Sequence, residues 1–212
     1  MNDEPPVLQV QGLCFSHPQQ PVFSGWSARV GPGVTLVQGD ESSGKTTLLR
    51  LLAGALAPAQ GQLVLNGTAL AQAPGAYRRQ VFWMDPRSDA LDALTVRAWL
   101  QSLPAQHAAW DAAALAAHVQ GWGLEEHLDK GFYMLSTGSK RKVLMAAALA
   151  SGAPLTLIDE PVAGLDHASV RYLCQALAAT SAAQPDRAIV VAHYEPLAGV
   201  PWRAVIELPE QG

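Results

Sequence analysis

Apolar and polar residues alternate along Val7-Leu8-Gln9-Val10-Gln11-Gly12-Leu13-Cys14-Phe15, a period of two that predicts a strand, ended by Ser16-His17-Pro18. Residues 22–30 read as a second strand closed by Gly31-Pro32-Gly33. Val34-Thr35-Leu36-Val37 is a short β-rich run that leads directly into a glycine-rich loop. A helix is predicted from Lys45 to Leu52 with Gly54 as its end cap, and residues 61–67 read as a strand and tight turn. From residue 94 to about residue 128 the pattern changes. Ala, Leu and Trp recur at helical spacing there, with Pro104 and Gly121/Gly123 separating the helices, and the tryptophans Trp99, Trp110 and Trp122 read mostly as core. Helices are further predicted over residues 139–149 and 168–179, and strands over 155–158, 188–191 and 203–208. This alternation predicts an α/β chain with a largely parallel, doubly wound sheet and a helical insert.

Composition narrows the class. A chain of 212 residues, 49% hydrophobic and 15% charged, suits one globular domain with a substantial core. The net charge of −4 argues against broad electrostatic attraction to nucleic acid or an anionic membrane. Cys14 and Cys174 stand alone, outside any metal-ligand spacing, and read as two thiols in a reducing compartment. Residues 1–10 begin acidic and contain prolines, so no secretory signal is expected. The most apolar stretch, residues 143–158, is interrupted by Ser151-Gly152 and Pro154 and falls short of the roughly 20 residues that span a bilayer. It reads as a helix, a turn and a buried strand, and the chain is not expected to cross a membrane.

The loop Gly39-Asp40-Glu41-Ser42-Ser43-Gly44-Lys45-Thr46-Thr47 carries the chemistry. Its Gly-x-x-x-x-Gly-Lys-Thr spacing lets backbone amides approach phosphate oxygens, and the following helix directs its positive end at them. Lys45 would reach the β- and γ-phosphates and Thr46 would hold magnesium. A Gly/Ser-rich turn before a helix matches such a pattern by chance, but here the preceding strand and following helix supply the required context. Glycine is common at the position of Ser42 in such loops, and Glu41 is expected to point to solvent. Downstream, Leu155-Thr156-Leu157-Ile158-Asp159-Glu160 ends a buried strand with two carboxylates. Alternation sends them to opposite sides, so that Asp159 would serve the magnesium shell and Glu160 would face the attacking water as general base. Alone, such a pair would read as a helix cap; behind a phosphate loop it reads as catalytic.

Leu135-Ser136-Thr137-Gly138-Ser139, followed by Lys140-Arg141-Lys142, resembles the signature motif of the ATP-binding cassette (ABC) ATPases, whose form is Leu-Ser-Gly-Gly-Gln; Thr137 and Ser139 depart from it. Ala163-Gly164-Leu165-Asp166 resembles that family's D-loop, and His193 its switch histidine. The resemblance covers nearly the whole chain, with the motifs in the family's order. It implies a P-loop NTPase fold with an N-terminal antiparallel β part, a core of residues 1–87 and 136–212, and a helical signature subdomain at 88–135 that carries the docking groove. It also implies ATP and magnesium as ligands and a head-to-tail homodimer or heterodimer in which Ser136 and Gly138 of one subunit close over ATP on the other. The partner would be a separate transmembrane permease, with the ATPase cytoplasmic and peripheral on the inner face of the membrane, and no nucleic acid involved. Two positions depart further. His17 stands where the family carries an aromatic residue against adenine, and no glutamine occurs between Asp85 and Arg87, where the family's Q-loop glutamine is expected; Asp85 could substitute for it.

The compact size and the stretch from Val81 to Leu100 resemble bacterial ATPases such as those of haem export for cytochrome c maturation. No Thr-Glu-Val-Gly-type segment precedes Leu135, which speaks against the fused multidrug-exporter type. Two alternatives differ in class. A soluble ABC ATPase of ribosomes or DNA lacks support, since no second cassette, coiled coil or zinc-binding cysteine set is present. A slow, regulatory ATP-binding subunit draws on the missing glutamine, His17 and the altered signature; Lys45, Asp159, Glu160 and His193 argue against it.

Overall fold

The structure, a computed structural model, describes residues 5–18 and 20–208. In chain order its elements are β1 (Leu8–His17), β2 (Gln20–Val30), β3 (Gly33–Gln38), α1 (Lys45–Leu52), β4 (Gln60–Leu65), β5 (Thr68–Ala69), α2 (Pro74–Arg78), β6 (Val81–Trp83), α3 (Val96–Ser102), α4 (Ala112–Gly121), α5 (Thr137–Ala150), β7 (Leu155–Asp159), α6 (His167–Ala183), β8 (Ala188–His193) and β9 (Trp202–Glu207). Short 3-10 turns at Leu103–Ala105, Glu125–His127 and Phe132–Met134 join the helices of the insert.

Two sheets result. The antiparallel one runs β2-β1-β4-β5 and the parallel one β6-β7-β8-β3-β9. Every residue of β7 and β8 is buried, as expected of central parallel strands covered on both faces. Their alternation divides the core. Leu157 and Val190 face one layer with Leu48, Leu49 and Leu52 of α1 and the inner residues of β1. Ile158, Ile189 and Val191 face the other, with α5, α6 and the helical insert. Trp99 and Trp122 lie within that second layer, and the half-buried Trp110 packs on it. This is the α/β architecture read from the sequence, with the antiparallel part beside α1.

Boundaries moved where side chains cap or pair. Strand β1 continues to His17 because the expected break pairs with β2, His17 opposite Gln20. Helix α5 starts at Thr137, because Ser136 accepts from the Ser139 amide; α6 starts at His167, because Asp166 accepts from the Ser169 amide, and it runs to Ala183. Gly54 follows α1 at φ 68, the left-handed end the sequence predicts. The short α2 and β5 had no periodic signature. Among the described residues no helix is long and apolar enough to cross a membrane, and both cysteines are free. The expectation of no secretory signal falls partly on residues 1–4, outside the described residues.

Arg187 is a buried charge with no acidic side chain in ion-pair contact among the described residues. Arg187, just before β8, is 4% exposed. It donates to the carbonyls of Ala148 and Leu149 at the end of α5, to the hydroxyls of Ser151 and Thr156, and to Gln184 Oε1. Burial pushes its pKa down to about 10, so it remains a cation at neutral pH and holds the negative end of that helix.

Candidate functional site

The site gathers at the C-terminal ends of the parallel strands, where β3, β7 and β8 each deliver a loop. Residues 39–44 leave β3 and turn into α1. Ser42 sits at φ 64 and Gly44 at φ 93. A serine in the left-handed region costs on the order of 1 kcal/mol, which is the physical reason glycine is common there. At Gly44 any side chain would run into Val22, with a Cβ only 2.8 Å from that residue. Lys45 folds back over the loop, its ammonium donating to the carbonyls of Gly39 at 2.7 Å and Asp40 at 2.8 Å. Lys45 thus lies across the loop as its cation, tied to the loop's own carbonyls.

The two carboxylates at the end of β7 have different surroundings. Asp159 is buried, and its Oδ2 accepts from Thr46 Oγ1 at 2.6 Å. Burial pushes its carboxyl pKa up from the ordinary value, the Thr46 hydrogen bond pulls it back, and the charge of Glu160 raises it further. Its Oδ1 is buried without a partner. A hydroxyl and an unpartnered carboxylate oxygen beside a phosphate cradle fit magnesium, which takes one or two carboxylates along with phosphate oxygens and water. Among the described residues no cluster of three His, Cys, Asp or Glu side chains competes as a metal site.

Glu160 follows the last residue of β7 and leaves the strand conformation, and its side chain lines the cavity over the phosphate loop. It adopts φ 45, held there by its amide donating to Ala192 O and its carbonyl accepting from Arg141 Nε at 3.0 Å. One carboxylate oxygen lies 3.0 Å from His193 Nδ1 and the other 3.3 Å from Lys45 Nζ. The His193 hydrogen bond foremost, and the Lys45 charge, hold this carboxyl below its ordinary value against the effect of burial. Adjacent carboxylates with pKa values pushed in opposite directions are suited to separate roles. His193 is 1% exposed with Nε2 unpartnered, and Ser43 Oγ is likewise buried and unpartnered. Ser43 lies in the loop and His193 at the end of β8 behind Glu160, and neither lines the cavity over the loop.

Over the loop lies a cavity of about 280 Å³ lined by His17, Lys45, Thr46, Thr47, Arg87 and Glu160, among others. His17 sits at one end, its Nε2 sharing a hydrogen bond with Thr47 Oγ1 at 3.2 Å and its ring edge-on to Phe15. Glu41 is exposed, as expected, yet it too borders the cavity. The remaining predicted residues stand elsewhere. Ser136 is exposed, and its hydroxyl caps α5 and meets Ser139 Oγ at 2.9 Å. Ser139 Oγ also contacts His127 Nε2 at 3.4 Å. Asp166 caps α6, with Lys142 3.8 Å away. Gly138 packs so closely on Gly164 that a Cβ would lie 2.2 Å from its carbonyl oxygen. Ser136, Gly138 and Asp166 thus do not line their own subunit's cavity; they form a separate surface.

Asp85 did not turn out to face the cradle. Its carboxylate is committed to Arg50 on α1, at 2.5 Å, and Arg87 lines the cavity instead. The sequence pointed to the segment but not to the residue.

A family model described as "ABC transporter" matches residues 26–163. Among curated relatives, a cytochrome c biogenesis ATP-binding export protein CcmA of Pseudomonas savastanoi pv. phaseolicola is 35% identical over 170 residues, 80% of each chain. A protein of the same name from Paramagnetospirillum magneticum is 38% identical over 167 residues, 76% of each. A solved ATP-binding subunit of an ABC transporter superposes with a TM-score of 0.76 at 25% identity, covering 89% of this chain and 79% of its own. A Pyrococcus furiosus structure described as a putative ABC transporter ATP-binding protein gives 0.75 at 19% identity, covering 95% and 96%, a likeness of fold.

Proposed function

The chain belongs to the ABC transporter family as an ATP-binding, ATP-hydrolysing subunit of a complex with a membrane permease, and we propose that it works as a magnesium-dependent engine of an export step in cytochrome c biogenesis. The observation that carries the mechanism is the chain Lys45–Glu160–His193 set against Thr46–Asp159 at one rim of one sheet.

In this reading loop amides and Lys45 hold the β- and γ-phosphates. Thr46 and Asp159 would hold magnesium, which would supply charge neutralisation on the phosphate oxygens. Glu160, ionised and oriented by His193, takes the proton of the attacking water. With Nδ1–H donated to the ionised Glu160, the neutral imidazole presents its buried Nε2 as an acceptor, so His193 acts here by orienting the base. Thr47, Gly39, Ser42, Ser43 and Gly44 shape the cradle, and His17 lies against the adenine.

The surface of the exposed Ser136 and Asp166, with the buried Gly138 between α5 and Gly164, would close over the ATP of a second subunit. The Ser136 hydroxyl, the Gly138 amide and the N-terminus of α5 all donate there. Hydrolysis would remove that bridge and let the pair open, turning chemistry into motion at the permease. Residues 88–135 would form the docking part, with the whole subunit held on the inner face of the membrane.

The test is copurification of Glu160→Gln from detergent-solubilised membranes with and without ATP. A stoichiometric multi-span partner retained with ATP, together with slowed turnover, is the expected result. Turnover at the wild-type rate would remove Glu160 as the base. Recovery with only ribosomal, DNA-associated or no partners would remove the export role in favour of a soluble or regulatory ATPase.

A further inference from the structure

Residues 85–87 replace the family's glutamine with something of different chemistry. Asp85, two residues beyond β6, binds Arg50 of α1 through Oδ2. Its Oδ1 accepts from the Arg87 amide at 2.9 Å, a side-chain turn that fixes the direction of the loop. The loop is also held at Ser88, whose carbonyl accepts from Lys140 on α5. Arg87 emerges from these restraints exposed, and its guanidinium makes no hydrogen bond or ion pair among the described residues.

It borders two cavities. One is the space above the phosphate loop; the other, of about 410 Å³, is lined by Asp40, Glu41, Lys45, Arg87, Glu160 and Tyr194. The second lacks His17 and Thr47, so the face shared by both belongs to the Glu160 end of the site, away from the adenine end. The charges there are unbalanced. Asp40, Glu41 and Glu160 border the cavities against Lys45 and Arg87, while behind them the buried Asp159 faces the buried Arg141. The Lys45 ammonium is already shared between Glu160 and two loop carbonyls. A polyphosphate entering this acidic rim requires further positive charge, and Arg87, attracted to Asp85 and Asp159 only at longer range, is the bordering cation whose guanidinium holds no hydrogen bond. Its planar fork matches phosphoryl oxygens better than an amide or an ammonium does.

We propose that Arg87 binds the γ-phosphate of ATP in cis, from the loop after β6, and that Asp85 is its positioning residue. The site thereby reads the third phosphate by charge at a position where the family uses a neutral amide. This rests on the reading of residues 39–47 as an ATP site.

The test is equilibrium binding of ATP and of ADP, each with magnesium, to the full-length protein and to Arg87→Ala, Arg87→Gln and Arg87→Lys. Loss of a charged hydrogen bond to phosphate predicts ATP affinity reduced about ten- to a hundredfold in the Ala and Gln variants, with ADP affinity unchanged. Arg87→Lys should recover part of the loss, and Asp85→Asn should show a smaller loss in the same sense. Equal losses for ATP and ADP, or no loss in either, would overturn the assignment while leaving the ATP site standing. A wild-type protein that binds neither nucleotide would overturn both. Arg87 is exposed, and Arg87→Gln keeps a polar side chain of similar reach, so comparing its thermal melt with that of wild type separates binding from folding.

Discussion

Replacing Gly138 by alanine sets two effects against each other. Gly138 occupies the first turn of α5, where helix propensity alone favours alanine by up to about 1 kcal/mol. The new Cβ, however, would lie 2.2 Å from the Gly164 carbonyl oxygen, a backbone atom. That carbonyl would have to retreat by roughly 1 Å, and overpacking of this kind costs typically ~1–3 kcal/mol. Gly164 itself sits at φ 77, so its loop has few alternative conformations. The clash therefore outweighs the propensity, and a net destabilisation of about 1–2 kcal/mol is expected, a fall in Tm of roughly 2–8 °C for a chain of this size. Displacement of the 163–166 loop should also slow ATP turnover. Calorimetry and a steady-state phosphate-release assay on the same preparation measure both. A Gly138→Ala protein that melts higher than wild type and keeps full turnover would show that the two glycines do not need their close approach.

Other substitutions test the remaining contacts. Lys45→Ala should abolish ATP binding, read by equilibrium dialysis, because it removes the cation across the mouth of the loop; retained affinity would contradict the cradle. His193→Ala should lower turnover about a hundredfold while leaving ATP affinity nearly intact, since it orients Glu160; an equal loss in both would mean that the histidine mainly binds. Arg187→Met should destabilise by ~1–3 kcal/mol in urea, because orphaned carbonyls outweigh the relief of an unpaired buried charge, and an unchanged midpoint would refute that balance. His118 is buried against Trp122 and Tyr172. Burial first, and the charge of Arg187, lower its pKa below the ordinary 6.5, with Asp111 opposing. The unfolded chain then binds more protons as pH falls below about 6.5, so that stability is present above that pH and is lost below it. Denaturation midpoints at pH 7.5 and 5.5 should therefore differ less in His118→Gln than in wild type; identical differences would exclude His118 as a source.

The parts of the site that the sequence made legible are those whose chemistry is local. The phosphate loop needs glycines at fixed offsets, and the buried strand marks where the two carboxylates stand, although their separation comes from the left-handed turn at Glu160 just past its end. What stayed hidden depends on pairings between distant residues. Asp85 drew attention because an acid stood where an amide was expected, yet its fate was set by Arg50 on another element. Arg87 became visible only once that pair and the turn it enforces were in place. Ser139, a departure from the signature pattern, proves to be tied to Ser136 and His127, a contact that no spacing rule encodes. The short α2 and β5 escaped because five and two residues hold too little periodicity to read.

Helix α5 is gripped at both ends, by the Arg187 guanidinium behind and by the Gly138–Gly164 contact in front. Its 14 residues make a rod of about 21 Å. With the rear anchored among buried strands, displacement of the front amounts to a swing about that anchor, in which ~10° moves the tip by roughly 4 Å. Because the tip rests on the loop that follows Glu160, such a swing carries both surfaces together. In the proposed assembly the rod would act as a lever with its fulcrum in the core, so that small rotations imposed by a membrane partner would become ångström-scale changes where two nucleotide sites would meet.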